Sequence, residues 1–172
     1  MVRIAKIQDS PRMAEIKVFG WRCAYKHFIP LKYLFNELTV KNSEMKFIEI
    51  LSIENNPGKT YVFEEDNIIK AYMTIGNTKD EDKDNRTFEL WVIYVDPLFQ
   101  RQNIGEKLVD FCIDEAKNKC KEEIVLWVFK KNENSIKFYE KMGFTADGKT
   151  KMHERLKEKE IRMLRKLGKK LM

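Results

Sequence analysis

The stretch Val95-Asp96-Pro97-Leu98-Phe99-Gln100-Arg101-Gln102-Asn103-Ile104-Gly105-Glu106-Lys107 joins two patterns of different period. Before it, FELWVIYV at residues 88–95 is a nearly unbroken β-branched and aromatic run, which reads as a strand buried on both faces. Pro97 stops that strand. After it, apolar residues at 104, 108, 109, 112, 113, 116 and 120 mark one stripe of an amphipathic helix. A strand, a polar loop and a helix in this order leave unpaired backbone N–H groups, and the positive end of the helix dipole, at the loop. Such a loop is a candidate cradle for a diphosphate. Arg101 and Lys107 add positive charge, Gly105 permits close backbone approach, and Asn103 accepts a left-handed conformation more readily than most residues. Taken alone, the loop reads equally well as an ordinary turn.

Working outward, short strand and helix patterns alternate. Val2–Ile7 reads as a first strand. Asp9-Ser10-Pro11 is a helix-start cluster, and residues 12–28 carry Met13, Ile16, Val18, Trp21 and Tyr25 at helical spacing. Pro30 opens a second short helix with Leu31, Leu34, Phe35 and Leu38. Asn55-Asn56-Pro57-Gly58 is a turn, and the strands Thr60–Glu65 and Ile68–Gly76 form a tight hairpin about Asp66-Asn67. Residues 77–85 are a polar loop. On the far side, Ile124–Phe129 is an apolar strand, Ser135–Met142 is a helix closed by Gly143 at its C′ position, and Phe144 onward returns to strand. The last segment fits a strand through Ile161, Met163 and Leu167, or a helix through Leu156, Met163, Leu167 and Leu171. The strand–helix–strand unit at residues 88–129, preceded by a hairpin, predicts one α/β domain over residues 1–172, with a mixed sheet and helices on both faces.

The 172 residues suit a single domain. With 43% hydrophobic and 35% charged residues, disorder is excluded. No apolar run approaches the ~20 residues of a membrane helix, and MVRIAKIQDSPRM lacks the apolar stretch of a signal peptide, so the expected compartment is the cytoplasm. Cys23, Cys112 and Cys120 show no C-x-x-C spacing and are expected as reduced thiols packed in the core, Cys112 and Cys120 on one helix face. His27 and His153 are too few for a histidine-based zinc site, and no metal is expected. Residues 153–172 carry eight Lys/Arg against three Glu. That basic tail reads as a solvated face; without interleaved aromatics it offers no base stacking, so nucleic acid is not expected as a partner.

A second signal lies about thirty residues downstream, from Asn132 through Ser135, Ile136, Phe138, Tyr139, Lys141 and Gly143 to Phe144. Together with Gln100-Arg101-Gln102-Asn103-Ile104-Gly105, it resembles the GNAT superfamily of N-acetyltransferases. The loop is similar to that family's Q/R-x-x-G-x-G/A signature, and residues 132–144 to its N-x-x-[AS]-I-x-F-Y-x-K-x-G-F segment. Trp21-Arg22-Cys23-Ala24-Tyr25 with Phe28-Ile29-Pro30 is similar to the W-R-x-A-Y…I-P helix of small bacterial members, so the resemblance covers about residues 3–167. One departure is Asn103, which stands where the family has its first loop glycine and could crowd a bound diphosphate.

The resemblance implies a mostly antiparallel twisted sheet with a central splay, acetyl-CoA as co-substrate, and transfer of its acetyl group to an amine by direct attack. It places Ile93, Tyr94 and Val95 along the pantetheine arm and Gln100 to Lys107, Glu106 included, around the diphosphate. Asn132 would bond the pantetheine, and Tyr139 would face the sulfur as general acid; a core tyrosine is the plain reading of the same residue. An amine nucleophile needs a base. Glu89, within Phe88-Glu89-Leu90-Trp91-Val92, is the candidate, since burying a carboxylate is costly unless it is paired or functional. The plain alternative puts Glu89 at an exposed strand start, or pairs it with Arg22 or Arg86.

The acceptor pocket is expected to draw on Trp21, Tyr25, His27, Phe28 and Tyr33, with Glu89 nearby. Acidic clusters at Glu64-Glu65-Asp66 and Asp80-Glu81-Asp82 would attract a cationic amine such as a polyamine, or are simply solvated loops. The expected acceptor is a small-molecule primary amine. A non-catalytic acetyl-CoA-binding module and a transferase for a protein or nucleic-acid-associated acceptor are the alternatives. Relatives that pair through their C-terminal strands imply a homodimer as a further partner.

Overall fold

The computed structural model describes residues 1–168. Along the chain run β1 (Val2–Ile4), α1 (Ser10–Tyr25), α2 (Val40–Leu51), β2 (Gly58–Glu65), β3 (Ile68–Asn77) and β4 (Thr87–Val95). They are followed by α3 (Ile104–Asn118), β5 (Glu123–Phe129), α4 (Glu133–Lys141), β6 (Thr145–Met152) and β7 (Lys159–Lys166). The strands form one mixed, mostly antiparallel sheet of seven, in the order β1-β2-β3-β4-β5-β7-β6. Among the described residues no helix is long and apolar enough to cross a membrane. By contacts the chain divides into two compact units: Met1–Thr74 with Val92–Leu108, and Ile75–Trp91 with Val109 onward.

In the first unit, Pro11 sits in the opening turn of α1, where its missing N–H costs nothing. Met13, Ala14 and Ile16 of that helix pack with Phe47 of α2, Val62 of β2 and Tyr72 of β3, all buried. The Phe47 and Tyr72 rings meet edge-on at 5.2 Å. Burying such side chains contributes about 1.5–3 kcal/mol each. α2 is an element that the apolar spacing did not predict. It starts at Thr39, whose hydroxyl accepts the Asn42 N–H at 3.2 Å as an N-cap. The hairpin of β2 and β3 turns on Asp66 and Asn67, both left-handed (φ 55° and 60°), as a tight two-residue loop demands.

Three expectations in this unit change. β1 ends at Ile4, and Ile7–Asp9 is a 3₁₀ turn, because the Asp9 carboxylate draws the chain round by accepting the Lys6 N–H at 2.7 Å and two bonds from Arg3. After Pro30 the chain winds as a π-helical segment, Tyr33–Glu37; Leu34 and Leu38 are buried while Leu31 and Phe35 are exposed. Cys23 is exposed.

In the second unit, β4 and β5 run parallel, with Thr87, Phe88 and Glu89 opposite Glu123, Ile124 and Val125. β7 lies antiparallel between β5 and β6. The final segment is therefore a strand: alternation at Ile161 and Met163 carries it, and pairing with β5 over seven positions decides against the helix. Leu171, Lys169 and Lys170 lie outside the described residues. The basic tail is not simply a solvated face, since Arg162 is buried and Arg165 donates to the Met142 carbonyl. Cys112 is buried, and burial pushes its thiol up to about 12. Cys120 fits the stripe of α3 but lies past the end of that helix, left-handed (φ 55°) and exposed. β4 is fully buried only over Thr87–Leu90; Trp91–Val95 are half-buried.

Candidate active site

The loop between β4 and α3 belongs to the first unit. It begins at Asp96, which is buried and whose carboxylate caps the 3₁₀ turn Pro97–Phe99 by accepting the Leu98 N–H at 2.8 Å. The Asp96 N–H donates to the Lys70 carbonyl at 2.9 Å. Its other carboxylate oxygen is held by Arg12 of α1, which also donates from Nε to the Ile69 carbonyl at 3.1 Å. Arg12 thus ties the end of β4 to β3. Burial works against its charge, but hydrogen bonds to Glu15 and Asp96 outweigh it and hold the guanidinium above its ordinary value.

Beyond that clamp, Gln100, Arg101, Gln102 and Asn103 are exposed, and Gln100 reaches back to the Val95 carbonyl at 3.4 Å. Asn103 is left-handed (φ 59°), so asparagine supplies the conformation expected of glycine there. Arg101 is left-handed too (φ 61°), which its residue type did not signal. Two left-handed residues within three let the loop turn sharply. It opens directly onto the first turn of α3, whose N–H groups have no intrahelical partners. Ile104 is buried and anchors that turn, while Gly105 and Glu106 are half-buried. Lys107 is exposed, with its ammonium 5.4 Å from the centre of the Phe63 ring.

The same unit gathers an aromatic group. Trp21 donates from Nε1 to the Tyr94 hydroxyl at 2.7 Å, and Tyr94 is also hydrogen-bonded to Tyr25. The ring of Trp21 stands 4.9 Å from Tyr25 and 6.0 Å from Tyr33; Tyr25 stands 5.5 Å from Phe28. Burial, with Tyr25 and Tyr72 close by, holds the Tyr94 phenol well above its ordinary range, so it stays neutral. His27 is exposed, without a ring contact of this kind among the described residues. Arg22 donates to the Leu34 carbonyl at 3.0 Å and stacks over Phe35.

In the second unit, Glu89 is 9% exposed. It is bonded neither to Arg22 nor to Arg86; the latter pairs with Asp84 and Glu122. Instead its Oε2 accepts the Lys79 N–H at 3.1 Å, and the Thr78 side chain adds a further hydrogen bond. Burial is the main reason that its proton is held more tightly than an ordinary carboxyl holds one; Asp80 reinforces this, and the two hydrogen bonds oppose it. Asn132 caps α4: its Oδ1 accepts the Ser135 N–H at 3.2 Å and its Nδ2 donates to Ser135 Oγ at 2.7 Å. Tyr139 is buried on the same helix, 5.9 Å from the Phe144 ring and 5.3 Å from Phe138.

Most carboxylates of the two acidic clusters are paired, Glu81 being exposed. Glu64 pairs with Arg3, and Glu65 and Asp66 with Lys70. Asp80 and Asp82 pair with Arg162, and Asp82 also with Lys149. The grips of Arg12 on Asp96 and of Arg162 on Asp82 had no signal in the sequence, since those partners lie 84 and 80 residues away.

A mixed sheet with one parallel crossover, and a left-handed loop feeding the crossover helix, defines an α/β fold with a candidate ligand loop at the crossover. The chain belongs to the acetyltransferase (GNAT) family, whose model matches residues 21–144 and so includes every site residue considered above from Trp21 to Tyr139. Over 147 residues it is 26% identical to the L-amino acid N-acyltransferase MnaT of Escherichia coli, covering 84% of this chain and 79% of that one. It is 32% identical over 85 residues to the L-methionine sulfoximine/L-methionine sulfone acetyltransferase of Salmonella typhimurium, covering 49% of each. Among solved structures, the PaiA N-acetyltransferase of Thermoplasma acidophilum, in complex with coenzyme A, superposes with a TM-score of 0.77 at 20% identity, covering 97% of this chain and 98% of that one. That likeness speaks to the fold.

Proposed function

We propose that this chain is a single acetyltransferase domain that uses acetyl-CoA to acetylate the primary amine of a small molecule, with amino acids as the first acceptor class to test. The observation that carries this reading is the left-handed pair Arg101 and Asn103 at the mouth of α3, a backbone shape suited to a diphosphate. Gln100 to Lys107 would hold that diphosphate, and the backbone of Ile93, Tyr94 and Val95 would run beside the pantetheine arm. Asn132 caps α4 and by its bonding inventory retains one further donor for the pantetheine.

In the chemical step the neutral amine attacks the thioester carbonyl carbon. A C–N bond forms, the C–S bond breaks, and the thiolate leaves. Tyr139 supplies a proton to that thiolate, and Glu89 takes one from the attacking nitrogen, directly or through water. A carboxyl whose proton affinity is raised by burial is a better base at neutral pH than an ordinary one. Trp21, Tyr25 and Phe28 would wall the acceptor pocket. Amino acids precede polyamines because most carboxylates of the acidic clusters that would attract a polycation are already engaged by Arg3, Lys70, Lys149 and Arg162, and because two relatives are named for acylating or acetylating amino acids and their analogues.

The test is thermal unfolding with acetyl-CoA, with CoA and without ligand, followed by thiol release across amino acids and polyamines. At a hundredfold excess over Kd, acetyl-CoA should add about 2.7 kcal/mol, a rise of roughly 5–10 °C. No rise overturns the reading. A rise without thiol release from any amine turns it into a binding module without catalysis.

A further inference from the structure

Glu89 is covered by the loop between β3 and β4, and a buried guanidinium is the most heavily bonded of the groups that fasten that loop. Arg162, on β7, is 3% exposed and sits in register opposite Trp127 of β5, 5.7 Å over its ring. Its Nη1 donates to Asp80 at 2.8 Å and to Asp82 at 2.7 Å, and its Nη2 donates to Asp82 at 2.8 Å. Its Nε donates to Asp147 of β6 at 2.7 Å. Trp127 adds its Nε1–H to the Asp80 carboxylate at 3.1 Å. The planar fork therefore grips two loop carboxylates at once, a task for which a lysine point charge is not equivalent. The residues that touch Glu89, Thr78 and Lys79, immediately precede the gripped Asp80.

A buried arginine shared among three carboxylates is more than chain folding needs, because replacing such a cluster with apolar residues is often neutral or stabilising. What the cluster does, with Trp127 and Lys149 beside it, is fix the loop's position over a carboxyl. We propose that Arg162 is a positioning residue for acetyl transfer: it fastens residues 78–82 so that the Lys79 amide stays on Glu89 and bulk solvent stays off that carboxyl. This rests on the reading of Glu89 as the base. The charged groups acting on Glu89 are Asp80 and Lys151, whereas Lys79 meets it through its backbone N–H; the Lys79 ammonium lies over the Trp91 ring at 4.1 Å and that of Lys151 over Trp127 at 4.0 Å. Asp80 is the one whose charge Arg162 balances directly.

The test uses the full chain with Arg162→Lys, and with Asp82→Asn as a milder variant whose side chain lies at the exposed edge of the cluster. Three readouts are taken: carbon NMR titration of the Glu89 carboxyl, exchange of the Lys79 amide, and the pH dependence of kcat. Release of the loop removes burial, the largest cause of the raised proton affinity, so the Glu89 midpoint should move to lower pH in both variants. Lys79 amide protection should fall about tenfold or more, and the rising limb of the rate profile should follow the NMR midpoint downward, with kcat reduced about tenfold or more. An unmoved Glu89 midpoint with Lys79 protection intact, in a folded variant, overturns the positioning role. A Glu89 midpoint that moves while the rate profile stays fixed overturns the proposal through its premise, by removing Glu89 as the base. If Arg162→Lys does not fold, Asp82→Asn decides on the same three readouts.

Discussion

Removing the Arg12 guanidinium should be the most destabilising single change at the mouth of the loop. Arg12→Met keeps the aliphatic stem and deletes three interactions: the ion pair with Asp96, the bond to the Ile69 carbonyl and the pair with Glu15. The Glu15 contact, at 45% exposure, contributes little. The Asp96 carboxylate is 4% exposed and would be left charged with one oxygen unpartnered. Breaking a buried pair from one side costs about 3–5 kcal/mol. Arg12 itself is 29% exposed, so water can reach the vacated position, and the expected loss falls to about 2 kcal/mol. For a chain of this length that is a fall in Tm of roughly 4–8 °C.

Urea unfolding should show a lower midpoint at an unchanged slope, since the surface exposed on unfolding is the same. Asp96→Asn and the double variant complete a cycle with a coupling of about 1–2 kcal/mol. Because Asp96 also caps the turn at Pro97–Phe99, Arg12→Met should weaken acetyl-CoA binding at temperatures where the protein remains folded. A stability loss below about 0.5 kcal/mol, or strict additivity in the cycle, would refute the account of Arg12 as the clamp of the loop.

Three other changes separate the proposed roles. Tyr139→Phe should lower kcat about a hundredfold with little change in the Kd for acetyl-CoA from titration; equal losses in both would make the hydroxyl a binding group. Glu89 in the folded chain holds its proton above its ordinary value of 4.5, so wild-type stability falls as pH rises through the unfolded value to the folded one. Glu89→Gln abolishes that fall, and the variant should be relatively more stable at about pH 8 than at about pH 4 when the two are compared by urea unfolding; its rate profile should also lose the rising limb. Asn103→Gly preserves the left-handed backbone and should change stability by less than about 1 kcal/mol while tightening acetyl-CoA binding. Asn103→Val cannot adopt that backbone without strain and should cost about 1–3 kcal/mol along with affinity, read by thermal shift with and without acetyl-CoA.

The parts of this chain that were legible from sequence are those in which a local pattern dictates local geometry. Asp66-Asn67 announces its hairpin because both residues tolerate the left-handed region that the turn requires. FELWVIYV followed by the stripe from Ile104 announces the crossover, and Gly143 (φ 81°) announces the end of α4. α2 escaped because Met45, Ile48 and Ile50 point to solvent and blur the stripe; of its residues only Ser43 and Phe47 are buried. Cys120 was misplaced because periodicity continues past the point where the helix stops. The partners of the acidic clusters were hidden for a different reason. A carboxylate's partner is chosen by tertiary structure, and Asp80 meets an arginine 82 residues away. Composition gives the charges and is silent on which are already neutralised.

The same device appears in both units, and its placement makes the roles separable. Arg12 grips Asp96 and a β3 carbonyl inside the first unit, and so fixes where the loop toward α3 begins. Arg162 grips Asp80, Asp82 and Asp147 inside the second, and so fixes what covers Glu89. Neither fork bonds the residues that the other one serves. If the first governs the diphosphate cradle and the second the base, an Arg12 variant should change acetyl-CoA affinity with the pH profile unmoved. An Arg162 variant should move the pH profile with affinity unchanged. Crossed effects, with either variant altering both, would mean that the forks act on stability alone and that neither sets a step of the reaction.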